Sequence, residues 1–198
     1  IVAELIGFTI LAGSTNNGSG ISNQFGNLRV ENCELIGGNA AFRGGLCHSS
    51  GGQLHLVDCD LSLGTAGLEG GAIWASGSIG GATELIMQNC SLESCSAGGS
   101  GGAIYLTSCD ALLENVSISA CSAGGTSNGG GIAQYLGASV ELSGVAFTDC
   151  QAGGDGGACF ADTSSLITWN DGSAEGCSAG DRGGAVYLEW ATVVGSGL

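Results

Sequence analysis

Apolar and polar residues alternate in short runs that recur along the chain. The runs begin Leu28-Arg29-Val30, Leu54-His55-Leu56, Leu85-Ile86-Met87, Ala111-Leu112-Leu113 and Val140-Glu141-Leu142, with a weaker copy at Ile167-Thr168-Trp169. Alternation with period two is the pattern of a strand with one face buried. Each run then slips phase by one at Asn32, Asp58, Asn89, Asn115, Gly144 or Asp171. These residue types tolerate left-handed backbone, so the slip predicts a tight corner followed by a second short strand. A third signal closes the unit: a Gly pair followed by two small or apolar residues, at Gly44-Gly45, Gly70-Gly71, Gly101-Gly102, Gly129-Gly130, Gly156-Gly157 and Gly183-Gly184. The unit is therefore strand, corner, strand, Gly-rich loop, third strand.

The Gly pairs recur every 26 to 31 residues. A repeat of that length built from three short strands predicts one coil of a single-stranded parallel β-helix, with about seven coils stacked about 4.8 Å apart into a rod ~30 Å tall. Four inward columns follow. They are Leu28/Leu54/Leu85/Ala111/Val140/Ile167, Val30/Leu56/Met87/Leu113/Leu142/Trp169, Cys33/Cys59/Cys90/Val116/Val145/Gly172 and Leu35/Leu61/Leu92/Ile118/Phe147/Ala174. Gly18 to Ile21 reads as an earlier degenerate copy, and Trp190 to Val194 as the opening strand of a further coil. The spacing places insertions after the Gly-Gly strand, as between Trp74 and Glu84, so variable loops gather on one edge.

Four units carry a longer motif, exemplified by Leu92-Glu93-Ser94-Cys95-Ser96-Ala97-Gly98-Gly99 followed by Gly101-Gly102-Ala103-Ile104. It resembles the FxxN plus GGA(I/L) repeat of chlamydial polymorphic membrane proteins, well over residues 85–188 and loosely over 5–84. Cys stands where that family has Asn. The Leu-x-Val-x-Asn-Cys-x-Leu half also resembles coils of the pectin-lyase-like superfamily. The resemblance implies an all-β, right-handed helix and an extracellular or cell-surface role of adhesin type. Residues 1–198 read as one β-helical domain, a segment of a longer β-helical protein.

Composition narrows the function. Three Arg (Arg29, Arg43, Arg182), no Lys and 18 carboxylates give a net charge of −15. Nucleic-acid binding needs clustered cations, so it is excluded. The apolar stretch Ile1 to Gly13 is too short to span a bilayer, and no transmembrane segment is expected. The chain has 40 Gly and no Pro. Pro could not donate to a neighbouring coil, and the Gly recur at stacked turns with no room for a Cβ.

Seven of the ten Cys fall in two columns, Cys33/Cys59/Cys90 and Cys95/Cys121/Cys150/Cys177. They read as a stacked thiol filling of a narrow core, with disulfides between adjacent coils as the alternative. Cys109 is placed on the loop edge. Metal-ligand spacing is absent, so neither a metal nor a cofactor is expected. Sequons at Asn17, Asn89 and Asn115 are compatible with secretion. No catalytic residue stands out. The three Arg are scattered, His48 and His55 read as isolated surface residues, and the carboxylate pairs Asp58/Asp60 and Asp149/Asp155 suit solvation as well as glycoside hydrolysis. One outward column, His48, Trp74, Tyr105, Ala133, Phe160 and Tyr187, could hold a glycan or another protein chain. Its ligand candidates are Trp74, Tyr105, Phe160 and Tyr187, and in this phase Gln134 points inward. The sequence is read as a non-catalytic surface module, structural or adhesive and capable of forming filaments with copies of itself. The alternative is a carbohydrate-binding or polysaccharide-degrading β-helix.

Overall fold

The computed structural model describes residues 2–77 and 84–196. It is an all-β solenoid of about seven turns in which every strand pair is parallel. Each residue pairs with its equivalent one coil away, so the columns read from sequence are physical columns. Leu28, Leu54, Leu85, Ala111, Val140 and Ile167 stand in register. From Leu35 to Phe147 the fourth column is fully buried. Thr192–Ser196 pairs with Leu166–Asn170, which makes the expected further strand.

Three expected strands per coil form three sheets. Sheet A holds eight strands among the described residues, from Val2–Ile6 to Thr192–Ser196. Sheet B runs from Thr9–Leu11 to Ser173–Glu175, and sheet D from Ile21–Gln24 to Val186–Leu188. The Gly-rich link between B and D adds pairing of its own, over two residues in most coils (Ser96–Ala97, Ser122–Ala123), and forms sheet C.

Four sheets require four corners. The A–B corner is the phase slip: Asn32, Asp58, Asn89, Asn115, Gly144 and Asp171 all have φ between 49° and 62°. The Asn side chains also link coils, Asn115 Nδ2 donating to Asn89 Oδ1 (3.3 Å) and Asn89 Nδ2 to Asp58 Oδ1 (3.0 Å). The other corners are left-handed too. They use residues such as Leu63, Ser94 and Ala120 after sheet B, the first Gly of each Gly pair before sheet D, and Ser108 and Leu136 after sheet D.

The core trades volume within a coil. Gly131 stands where four other coils have Ala, because Phe147 fills the space: a Cβ on Gly131 would lie 2.8 Å from the Phe147 ring. Leu46 replaces the same Ala, and Gly64 then replaces the Cys of its column, since a Cβ there would meet Leu46 Cγ at 2.9 Å. Cys109 is corrected by the structure. It is 5% exposed and belongs to the core, not to a loop edge, because its corner turns inward and the thiol reaches the Ala75 carbonyl (3.5 Å). Gln134 points inward as expected. It is fully buried, and neither amide atom has a partner among the described residues. The insertion expected between Trp74 and Glu84 falls on residues 78–83, outside the described residues.

Candidate functional site

The outer face of sheet D carries the aromatic column. Ser22, His48, Trp74, Tyr105, Ala133, Phe160 and Tyr187 follow one another in register. The rings stack along the rod axis: His48 on Trp74 with centroids 4.5 Å apart and planes within 9°, and Phe160 on Tyr187 at 6.1 Å and 19°. Ala133 would leave a gap. Tyr135, two residues on and on the same face, leans over it, stacks on Tyr105 (5.1 Å) and meets Phe160 at a tilt of 38° (5.3 Å). Sequence reasoning missed Tyr135, although an aromatic two positions after the one small residue of the column was a readable signal.

Stacking along the axis turns ring faces toward one another and edges outward. Trp74 is 7% and Phe160 1% exposed, while Tyr105 and Tyr187 are half-buried. His48 is 8% exposed and shares its ring face with Trp74, which corrects the reading of it as a surface histidine. Burial and the neighbouring Arg43 guanidinium hold its pKa below the usual imidazole value. Burial raises the Tyr105 and Tyr135 phenols.

A second column flanks the first, at the position just before each Gly pair: Arg43, Glu69, Ser100, Asn128, Asp155 and Arg182. Two of the three Arg thus occupy one repeat position, which corrects the view that they are scattered. Arg43 pairs with Glu69 (2.8 Å) and lies over Trp74 (5.0 Å to the centroid), while Trp74 Nε1 donates to the same Glu69 carboxylate (3.2 Å). Arg182 grips Asp155 with Nε (3.1 Å) and Nη2 (2.7 Å) and lies over Tyr187 (4.2 Å). Between these clamps Ser100 Oγ is 3.0 Å from the Tyr135 hydroxyl, and Asn128 Nδ2 donates to that hydroxyl (3.4 Å). A shallow groove opens here, lined by Leu68, Glu69, Ser100, Tyr105, Ser127 and Tyr135.

The remaining candidates are dispersed. Asp58 accepts from Asn89 (3.0 Å) and Asp60 from the Ser91 hydroxyl (2.5 Å). Asp149 forms an exposed corner, while Asp155 serves Arg182. His55 faces Arg29 Nη1 and Gln88 on sheet A. Among the described residues no group of three or more His, Cys, Asp or Glu is placed to hold a metal ion. Asn17, Asn89 and Asn115 are all exposed, but Asn89 and Asn115 use their amide nitrogens within the corner column. All ten Cys are thiols, and nine are buried. Each thiol of the two columns reaches back to the carbonyl two residues before it, as Cys59 does to Val57 and Cys121 to Ser119 (both 3.2 Å). No family model matches the chain, and no curated protein or solved structure matches it.

Proposed function

We propose that this chain is a non-catalytic extracellular module that forms part of a cell surface, structural or adhesive in role and able to associate with further copies of itself. The observation that carries this reading is where the outward polar groups point. They are engaged with equivalents one coil away: Arg43 with Glu69, Arg182 with Asp155, Asn115 with Asn89, Asn89 with Asp58. Glycoside hydrolysis needs two carboxylates facing one bond across a gap. Each pair offered by the sequence has at least one member tied to a neighbour. The likeness of residues 85–188 to repeats of surface proteins supports the same reading.

A second reading, glycan binding, is favoured by one observation: the groove between the two Arg clamps, with Tyr105 and Tyr135 on its wall and hydroxyl and amide groups beside them. One experiment separates the two. Beads coated with the purified chain are offered immobilised polysaccharides, animal and plant cell surfaces, and the chain itself, and the same polysaccharides are assayed for new reducing ends. Bead retention or self-association without product supports the module. Tyr135→Ala that abolishes retention on one polysaccharide selects glycan binding, and turnover of any polysaccharide overturns the non-catalytic reading.

A further inference from the structure

In-register parallel neighbours lie about 4.8 Å apart at Cα, inside the range a disulfide accepts. The flanking pairs Asp60↔Ser91, Ser96↔Ser122, Ser122↔Gln151 and Gln151↔Ser178 place Cys59 beside Cys90, and Cys95, Cys121, Cys150 and Cys177 in one unbroken file. Cys33, Cys59, Cys90, Cys121 and Cys150 lean toward the preceding coil: Cys90 Sγ lies 3.5 Å from the Leu56 carbonyl and Cys150 Sγ 3.5 Å from that of Ile118. Within the file of four, Cys95 and Cys121 are the first neighbouring pair and Cys150 and Cys177 the last.

We propose that these columns are oxidative modification sites that close into three inter-coil disulfides, Cys59–Cys90, Cys95–Cys121 and Cys150–Cys177, while Cys33, Cys47, Cys109 and Cys159 stay as thiols. Parity and the backbone bonds of Cys33 decide the pairing. A file of four closes completely only as first-with-second and third-with-fourth. A file of three closes once, between Cys59 and Cys90, because the Cys33 sulfur already accepts from the Phe8 N–H (3.4 Å) while its thiol donates to the Glu31 carbonyl (3.2 Å). Cys47, Cys109 and Cys159 have no cysteine in the next coil of their own columns, where Ile73, Ala138, Ile132 and Val186 stand.

The oxidant is a small-molecule disulfide such as oxidised glutathione. The thiolate of one partner attacks it, forming a mixed disulfide and releasing one small thiol. The second partner then displaces the other small thiol and closes the bridge. Each bridge thus consumes one small disulfide, releases two small thiols and carries two hydrogens away from the protein. Because the columns are buried, exchange runs while coils are still closing.

The test uses the whole chain refolded in a glutathione redox buffer, then denatured and alkylated, beside a sample kept in reductant throughout. The oxidised protein is expected to be about 6 Da lighter before alkylation. It should take alkyl groups only on Cys33, Cys47, Cys109 and Cys159, yield the three named cross-linked peptides, and resist proteolysis longer than the reduced form until reductant is added. Ten alkylated cysteines in both samples, persistent glutathione adducts, or cross-links such as Cys33–Cys59, Cys121–Cys150 or Cys47–Cys59 would overturn the proposal.

Discussion

The exchange of volume between Gly131 and Phe147 gives a quantitative test of how a coil is packed. Consider Gly131→Ala. The new Cβ would lie 2.6 Å from the Ala158 carbonyl oxygen and 2.8 Å from two atoms of the Phe147 ring. The carbonyl is not the obstacle, because Ala72, Ala103, Ala158 and Ala185 hold a Cβ at the same place in their coils. The ring is the obstacle, and it must retreat by about half an ångström. It is fully buried and packs edge-on against Trp169 at 5.3 Å, so it has little room to do so. Overpacking of this kind costs about 1–3 kcal/mol. Phe147→Leu alone opens a cavity and gives up the Trp169 contact, which is itself worth about 0.5–1.5 kcal/mol. The double variant rebuilds the Ala/Leu combination that Ala72 and Leu92 hold at the same two positions two coils earlier. Its loss should be smaller than the sum of the singles by about 1–2 kcal/mol, a coupling expected of residues that share a space. Urea unfolding of the four proteins measures it, with a thermal midpoint change of about 2–4 °C for each kcal/mol as a check. If Gly131→Ala costs the same in the Phe147→Leu background as beside the native Phe147, the two losses add, and the account of volume exchange is wrong.

Three further outcomes follow from the corners and the ring column. Asn115→Gly should leave the thermal midpoint unchanged or slightly raised, since Gly144 already serves that corner, whereas Asn115→Val should lower stability by about 1–2 kcal/mol because β-branched residues resist positive φ. His48 has a folded pKa below its unfolded one, so the unfolded chain takes up a proton first as pH falls. Its contribution should be lost as pH drops from about 6.5 toward the folded value and return on raising pH, and thermal melts between pH 5 and 7 should show that slope reduced in His48→Gln. Tyr135→Ala should cost about 2–3 kcal/mol by uncovering Ala133 and breaking two ring contacts, while Tyr135→Phe should cost about 1 kcal/mol for the hydroxyl alone; urea titration followed by near-ultraviolet dichroism distinguishes them.

Period-two alternation and the phase slip at Asn or Asp were enough to place the inward columns, from Leu28 to Ile167 and from Leu35 to Phe147. Residue type and spacing carry that information directly: one face is buried, and few residues tolerate the corner. Other features depend on what stands one coil away. Ser96-Ala97 has no strand-like pattern of its own and pairs only because its neighbours hold it extended. Leu63 and Ala120 do not announce left-handed corners, since tertiary register imposes that backbone on them. The Arg43–Glu69 and Arg182–Asp155 clamps were hidden because the partners are 26 and 27 residues apart and meet only once the coils stack. The aromatic column was readable in phase but not in exposure, because burial there comes from ring-on-ring contact and from the Arg clamps. Cys109 was misplaced for a similar reason, as its corner turns inward.

The register that stacks equivalent residues about 4.8 Å apart has an electrostatic consequence along the whole rod. A net charge of −15 over a length of ~30 Å is one elementary charge every ~2 Å, close to the ~1.7 Å of double-stranded DNA. At that linear density the solenoid behaves as a polyelectrolyte that condenses small cations around its carboxylates. Two such rods repel side by side at low ionic strength. They approach laterally only when salt shortens the reach of their fields or when multivalent cations bridge them, so ionic composition rather than shape sets how closely the rods can crowd together.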